Sequence, residues 1–129
     1  MLITQPWYKI LVIDDELFML DFVRKILESA QHRVLVARTA DSGLDAYRTH
    51  KPDLVITDLL MPDKDGLEAI RELLKENPAT RIIAISGGGH SGYTRGLEAA
   101  KAFGAHETIR KPFSPDALLA AVARALDAT

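Results

Sequence analysis

Side chains that could do phosphate or metal chemistry stand at the ends of four separate apolar runs. Asp14 and Asp15 follow the first run, Asp58 follows the third, Ser86 closes the fourth and Lys111 follows the fifth. Carboxylates that share one site repel one another unless a cation lies between them. Mg²⁺ binds a few carboxylates together with water and phosphate oxygens. Three carboxylates, one Mg²⁺ and one ammonium group together carry no net charge, which suits a site for an incoming phosphoryl group.

Each of these residues also has an ordinary structural explanation. Asp14, Asp15 and Glu16, which follow the first run, would stabilise the N-terminus of a following helix through the helix dipole. Asp58 could be a loop or cap residue, Ser86 a turn residue and Lys111 a solvated charge. The functional interpretation therefore depends on whether the fold brings the five side chains together.

Short apolar runs rich in β-branched residues alternate with helical patterns along the chain. Four to six residues long, the runs predict β-strands over residues 9–13, 33–37, 54–57, 81–86 and 107–110. Apolar residues at helical spacing predict five intervening helices, for example Met19, Phe22, Val23, Ile26 and Leu27 in the first. The repeated strand–helix order predicts a parallel sheet with helices on both faces.

Capping residues predict where several helices begin and end. Thr39 is suited to the N-cap of the second helix, and Ser114 with Pro115 to the start of the fifth. The third helix should end before Pro78, and Gly104 should end the fourth. In an open parallel sheet ligands bind at the carboxyl ends of the strands, so the candidate residues are expected to meet at one edge.

Composition excludes several classes of function. The chain has 129 residues, a net charge of −2 and no cysteine. One domain of 1–129 with a core of about 8–126 is expected, without disulfides or thiolate metal sites. A near-neutral charge gives no reason to expect direct binding to nucleic acid or to a membrane. No apolar segment is long enough to span a bilayer and no signal peptide is evident, so a cytoplasmic location is expected.

The ordered motifs resemble the response-regulator receiver domains of two-component signalling. The resemblance lies in residues 10–16, 52–66, 85–87, 104–105 and 111–113, and extends over nearly the whole chain. It implies a flavodoxin-like (βα)5 fold with strand order 2-1-3-4-5. It also implies a phosphoacceptor switch that catalyses only its own phosphoryl transfer and slow dephosphorylation.

The resemblance assigns a role to each candidate residue. Asp58 would be the phosphoacceptor, a carboxylate nucleophile that forms an aspartyl phosphate. Asp15 would be the main Mg²⁺ ligand, assisted by Asp14, Asp58 and the backbone carbonyl of Leu60. Lys111 would pair with a phosphoryl oxygen, and Ser86 would hydrogen-bond the same group. The Lys111–Pro112 peptide bond is expected to be cis.

The partners implied by the resemblance are a phosphoryl donor and a downstream effector. The donor would be a sensor histidine kinase, a histidine phosphotransfer protein or a small molecule such as acetyl phosphate. The chain would be a monomer or a weak homodimer through its last two helices.

Three positions depart from the family pattern. Thr108 stands where receivers usually have an aromatic residue, so signalling by an inward ring movement is in doubt. Ala121 stands where many winged-helix regulators have an arginine in a dimer interface. Leu60 cannot orient a hydrolytic water with its side chain.

Three alternative functions remain open at this point. A phosphatase with an aspartyl intermediate would need a second acid two residues after Asp58, where the chain has Leu60. A docking module that is not phosphorylated would not require the full set of acids, Ser86 and Lys111. A flavin mononucleotide binder would have to hold its phosphate against an acidic edge.

Overall fold

The computed structural model describes residues 7–61, 66–87 and 91–127. Strands and helices alternate along the chain, as the periodicity predicts. The strands are β1 (Lys9–Ile13), β2 (Arg33–Ala37), β3 (Leu54–Asp58), β4 (Ile82–Gly87) and β5 (Glu107–Lys111). The helices are α1 (Leu17–Ser29), α2 (Ala40–His50), α3 (Gly66–Glu76), α4 (Ser91–Phe103) and α5 (Pro115–Asp127).

The five strands form one parallel sheet with the order β2-β1-β3-β4-β5. This confirms the predicted flavodoxin-like arrangement. β3 occupies the centre of the sheet and every one of its residues is buried. Burial on both faces explains why the three residues before Thr57 are all apolar. Among the described residues, no helix is long and apolar enough to cross a bilayer.

Alternate residues of each central strand pack against different helices. Ile10 and Val12 of β1 contact a core formed with α1 and α5, whereas Leu11 and Ile13 contact one formed with α2, α3 and α4. The sheet is therefore covered on both faces, and its carboxyl edge is left for polar side chains.

The predicted caps are confirmed. The Thr39 side chain accepts the Ser42 backbone N–H at 3.0 Å, and the Ser114 side chain accepts that of Ala117 at 3.1 Å. α3 ends at Glu76, before Pro78. Gly104 has φ of +121°, a backbone conformation that favours glycine and ends α4.

Three strands extend one residue further toward the carboxyl edge than their sequence patterns predict. Asp58, Gly87 and Lys111 are the last residues of β3, β4 and β5, and β4 begins at Ile82 rather than at residue 81. Backbone pairing continues past the apolar residues, with Asp58 opposite Ile85 and Gly87 opposite Lys111. A polar side chain does not end a strand as long as its backbone groups remain paired.

Candidate functional site

Three carboxylates meet where β1 and β3 end. One oxygen each from Asp14, Asp15 and Asp58 lie within 4.8 Å of one another. The strands place them there because Ile13 pairs with Thr57, directly before Asp14 and Asp58. The Asp14 N–H also donates to the Ala37 carbonyl at 3.0 Å, which ties the end of β1 to the end of β2.

Burial makes this carboxylate cluster electrostatically costly. Asp58 is 5% exposed and Asp14 is 2% exposed. Burial, and next the charge of Asp14, raise the pKa of Asp58 to about 6, although Lys111 and the N–H groups of Leu60 and Leu59 oppose the rise. Burial also raises the pKa of Asp14, against the effects of the Glu16 N–H and Lys111. Ionised carboxylates at these positions therefore require a cation.

Lys111 supplies part of the positive charge from the far side of β4. Its Nζ lies 3.5 Å from Asp14 Oδ2, 3.6 Å from Asp58 Oδ2 and 3.8 Å from Glu16 Oε1. The side chain of Lys111 is only 15% exposed, so these interactions are poorly screened. The Lys111–Pro112 peptide bond is cis, as expected.

Ser86 lies one residue beyond the partner of Asp58 on β4, since Asp58 pairs with Ile85. The residue is fully buried, and within the described part of the chain its Oγ has no hydrogen-bond partner. An unsatisfied buried hydroxyl costs about 1–3 kcal/mol. The geometry thus leaves a hydrogen-bonding group free close to the phosphoacceptor candidate.

The chain turns sharply after β3. The Leu60 N–H donates to Asp58 Oδ1 across 3.4 Å, and the Gly66 N–H donates to the Leu59 carbonyl at 3.0 Å. A Cβ at Gly66 would lie 2.1 Å from the Asp58 carbonyl oxygen. The start of α3 therefore packs directly against the backbone of Asp58. Residues 62–65 of the matching motif lie outside the described residues.

Two charged residues of this edge were not among the predicted site residues. Glu16 is the third carboxylate beside Lys111. Arg38 follows β2, and its Nη2 donates to the Asp15 carbonyl at 3.3 Å. The rule that ligand sites lie at carboxyl ends of strands, applied to β2 as it was to the other four strands, would have identified Arg38.

The donor set fits a hard divalent cation. The three carboxylates are oxygen ligands, two of them are largely desolvated, and their repulsion leaves them in need of positive charge. Lys111 and the buried Ser86 hydroxyl could then bind the oxygens of a phosphoryl group.

Comparison with known proteins identifies relatives over most of the chain. A family model described as the response regulator receiver domain matches residues 10–123. The chain is 34% identical to the chemotaxis protein CheY of Listeria monocytogenes over 120 residues, which cover 91% of this chain and 97% of that protein. It is 36% identical to the chemotaxis protein CheY of Thermotoga maritima over 117 residues, which cover 88% and 93%.

Solved structures show the same fold. The receiver domain of NtrX from Brucella abortus superimposes with a TM-score of 0.87 and 35% identity, covering 93% of this chain and 99% of that one. A response regulator receiver domain protein from Clostridium thermocellum superimposes with a TM-score of 0.86 and 34% identity, covering 92% and 94%.

Proposed function

The chain belongs to the response regulator receiver domain family, and on that premise we propose that Asp58 is its phosphoacceptor. The observation that carries the proposal is the position of Asp58, a buried carboxylate beside Asp14 and 3.6 Å from Lys111. The donor is a phosphohistidine of a sensor kinase or phosphotransfer protein, or a small acyl phosphate. The receiver domain has its core at about 8–126, which includes the residues 10–123 that the family model matches.

The reaction forms one bond and breaks one. An Asp58 carboxylate oxygen attacks phosphorus and forms an acyl phosphate, while the bond from phosphorus to the donor nitrogen or oxygen breaks. The leaving imidazole or carboxylate takes the electron pair, and the imidazole is protonated by solvent. Asp58 has to be ionised to attack, and its pKa of about 6 leaves it mostly ionised at neutral pH.

Asp14, Asp15, Asp58 and the carbonyl of Leu60 would hold Mg²⁺. When bound, the ion supplies positive charge that lowers the repulsion between the carboxylates and the incoming phosphoryl group. The clustering of the three carboxylate oxygens supports this assignment.

Lys111 and Ser86 bind the transferred group. The ammonium group of Lys111 already faces Asp58 and pairs with a phosphoryl oxygen after transfer. The hydroxyl of Ser86, which has no hydrogen-bond partner among the described residues, gains one at the same moment. Phosphorylation therefore favours a conformation in which Ser86 and its strand end are drawn toward residue 58, and that change is what a downstream effector reads.

Exposed apolar residues beside the site support the proposal that one of the phosphoryl donors is a protein. Leu17 and Phe18, in the first turn of α1, are 62% and 81% exposed, and Leu60 is 48% exposed. Such residues near a polar site favour contact with a partner. Ala121, by contrast, is fully buried and offers no surface to a second copy of the chain.

Mapping the phosphorylated residue tests this function. Purified protein is incubated with acetyl phosphate and Mg²⁺, reduced with borohydride and analysed by mass spectrometry. We expect about one phosphoryl group per chain on Asp58, no label in Asp58→Asn, and normal labelling of Asp127→Asn at the exposed end of α5. Label that persists in Asp58→Asn overturns the assignment. No uptake with Mg²⁺ would indicate a docking module. Rapid hydrolysis of acetyl phosphate with no accumulation of label on Asp58 would indicate a phosphatase.

A further inference from the structure

A second cation, Arg38, lies at the rim of the carboxylate cluster. It follows Ala37, the last residue of β2, whose carbonyl accepts the Asp14 N–H at 3.0 Å. The Arg38 guanidinium in turn donates to the Asp15 carbonyl at 3.3 Å. Arg38 is therefore attached to the loop that carries two of the proposed metal ligands.

The positive charges of Arg38 and Lys111 differ in their burial and in the groups that they contact. Lys111 is mostly buried and lies within 4 Å of three carboxylates. Arg38 is exposed, its contact at this edge is with a neutral carbonyl, and in the described part of the chain it forms no ion pair. A guanidinium carries five N–H donors, and this contact uses one of them.

A small phosphodonor meets an unfavourable potential at this edge. Asp14, Asp15, Glu16 and Asp58 are four acids against which Lys111 supplies a single positive charge, and bound Mg²⁺ would supply two more. An acyl phosphate such as acetyl phosphate is a dianion, so its approach depends on exposed positive charge at the rim. A guanidinium binds phosphate oxygens in a planar, two-pronged arrangement.

We propose that Arg38 is a specificity-determining residue that recruits small dianionic phosphodonors, of the acyl phosphate class, to Asp58. The proposal rests on the function assigned to Asp58 above. It gives the exposed guanidinium a role distinct from that of Lys111, which binds the phosphoryl group in the buried site.

A purely structural role for Arg38 makes a different prediction. If the contact with the Asp15 carbonyl serves to hold the metal-binding loop, its loss weakens Mg²⁺ binding and donor reactivity together. If Arg38 recruits the donor, its loss slows phosphorylation but leaves Mg²⁺ affinity unchanged or increased, because a positive charge near the cation has been removed.

The experiment compares Arg38→Gln, Arg38→Lys and a control, Lys51→Gln. Lys51 follows the 11-residue helix α2 at its opposite end, about 16 Å from Arg38 along the helix axis. Lys51→Gln therefore changes the net charge of the protein by the same amount as Arg38→Gln, without changing the charge at the edge of the carboxylate cluster. Initial rates of Asp58 labelling by acetyl phosphate are measured at low and high salt, and Mg²⁺ affinity of the unphosphorylated protein is measured by calorimetry.

We expect Arg38→Gln to be labelled about three- to tenfold more slowly at low salt, through a higher half-saturating acetyl phosphate concentration. The difference should shrink at high salt, where exposed charges are screened. Arg38→Lys should keep most of the rate, and Lys51→Gln all of it. Phosphoramidate, whose protonated amine lowers its net negative charge, should show a smaller effect of Arg38→Gln.

Two results would overturn the inference. One is an Arg38→Gln variant labelled as fast as the parent, which leaves the function of Asp58 intact. The other is a loss of Mg²⁺ affinity in parallel with the loss of labelling rate, which would show that Arg38 serves to hold the metal-binding loop in place. Failure of the parent itself to be labelled at Asp58 is a different outcome, and it refutes the proposed function.

Discussion

At the scale of single residues, the buried carboxylates of the site destabilise the metal-free protein. Asp14 and Asp58 are almost fully buried, and their pKa values are raised because the folded protein disfavours their ionised forms. A buried neutral side chain of the same shape would not have this cost. Binding of a cation relieves this unfavourable free energy. Cation binding, and then phosphorylation, are therefore coupled to the stability of the folded protein.

Asp58→Asn should therefore stabilise the metal-free protein at neutral pH. The pKa of Asp58 is about 6 in the folded state, against 3.8 as its ordinary value. Ionisation favours the unfolded state, so the cost is absent below pH about 4, grows as the pH rises to about 6 and then levels off at roughly 3 kcal/mol. Urea unfolding in EDTA at several pH values measures this gain. A stabilisation that is the same at pH 4 and pH 7.5 would contradict the explanation.

Asp15→Ala should weaken Mg²⁺ binding by at least about tenfold, because a direct ligand should matter no less than the outer partners of a metal site. Amide NMR shifts near residues 15 and 60 report the binding. Trp7 precedes β1 at the opposite edge of the sheet and is a poor reporter.

Glu16→Ala serves as the matched control, since Glu16 is a neighbouring acid outside the proposed ligand set and its side chain is 64% exposed. Its loss should change affinity only slightly. Equal effects of the two substitutions would show that overall negative charge, and not ligation by Asp15, determines the affinity.

At the scale of elements, the position of Asp58 depends on how closely α3 approaches β3. Gly66 begins α3, and a Cβ there would lie 2.1 Å from the Asp58 carbonyl oxygen and 2.7 Å from the Leu59 Cα. One is a backbone atom of Asp58, the last residue of β3, and the other belongs to the residue that follows it, so neither can move without displacing the end of the strand. The absence of a side chain at residue 66 thus sets where the phosphoacceptor lies.

Gly66→Ala should lower the free energy of unfolding by about 1–3 kcal/mol, the usual cost of overpacking, and should slow Asp58 labelling. Gly87→Ala is the control, because a Cβ at Gly87 meets nothing within 4 Å. Urea denaturation and labelling with acetyl phosphate measure both quantities. If Gly66→Ala is as stable and as reactive as Gly87→Ala, the close approach of α3 has no role.

At the scale of the whole molecule, the site gathers residues from both halves of the chain, and the signal has to leave by an element that can move. Thr108 pairs with Ala84 on β4 and has no ring to swing inward. Ser86 instead lies one residue before the end of β4, so a hydrogen bond to its side chain acts on the end of that strand. Gly88 and Gly89, which follow in the sequence, lie outside the described residues.

Phosphorylation should therefore slow amide exchange over residues 86–96 more than around Thr108. The reason is that a new hydrogen bond from Ser86 holds the end of β4, while β5 has no aromatic switch to reposition. Hydrogen exchange with and without beryllofluoride, a phosphoryl mimic, measures the difference, and Ser86→Ala is expected to reduce it. Protection confined to β5 would show that the signal takes another route.

The amino-acid sequence by itself determines the order of elements, their caps, and the strands at whose carboxyl ends Asp14, Asp58, Ser86 and Lys111 lie, to within one residue. These features follow from local periodicity and from the right-handed connection of parallel strands. The comparisons with known proteins support the family that the motifs resemble. Pairing at the strand ends was less predictable, because backbone hydrogen bonds extend beyond the apolar runs.

Only the tertiary structure decides the electrostatics of the site. The contact of Lys111 with Asp14 spans 97 positions of sequence, and the pKa of Asp58 depends on burial beneath elements distant in the chain. Likewise, the Ser86 hydroxyl has no partner within residues 7–61, 66–87 and 91–127, and the Arg38 guanidinium is exposed, because of which groups the fold brings near them. Desolvation and distances between charges arise from packing among all the elements, and no local pattern of residues encodes them.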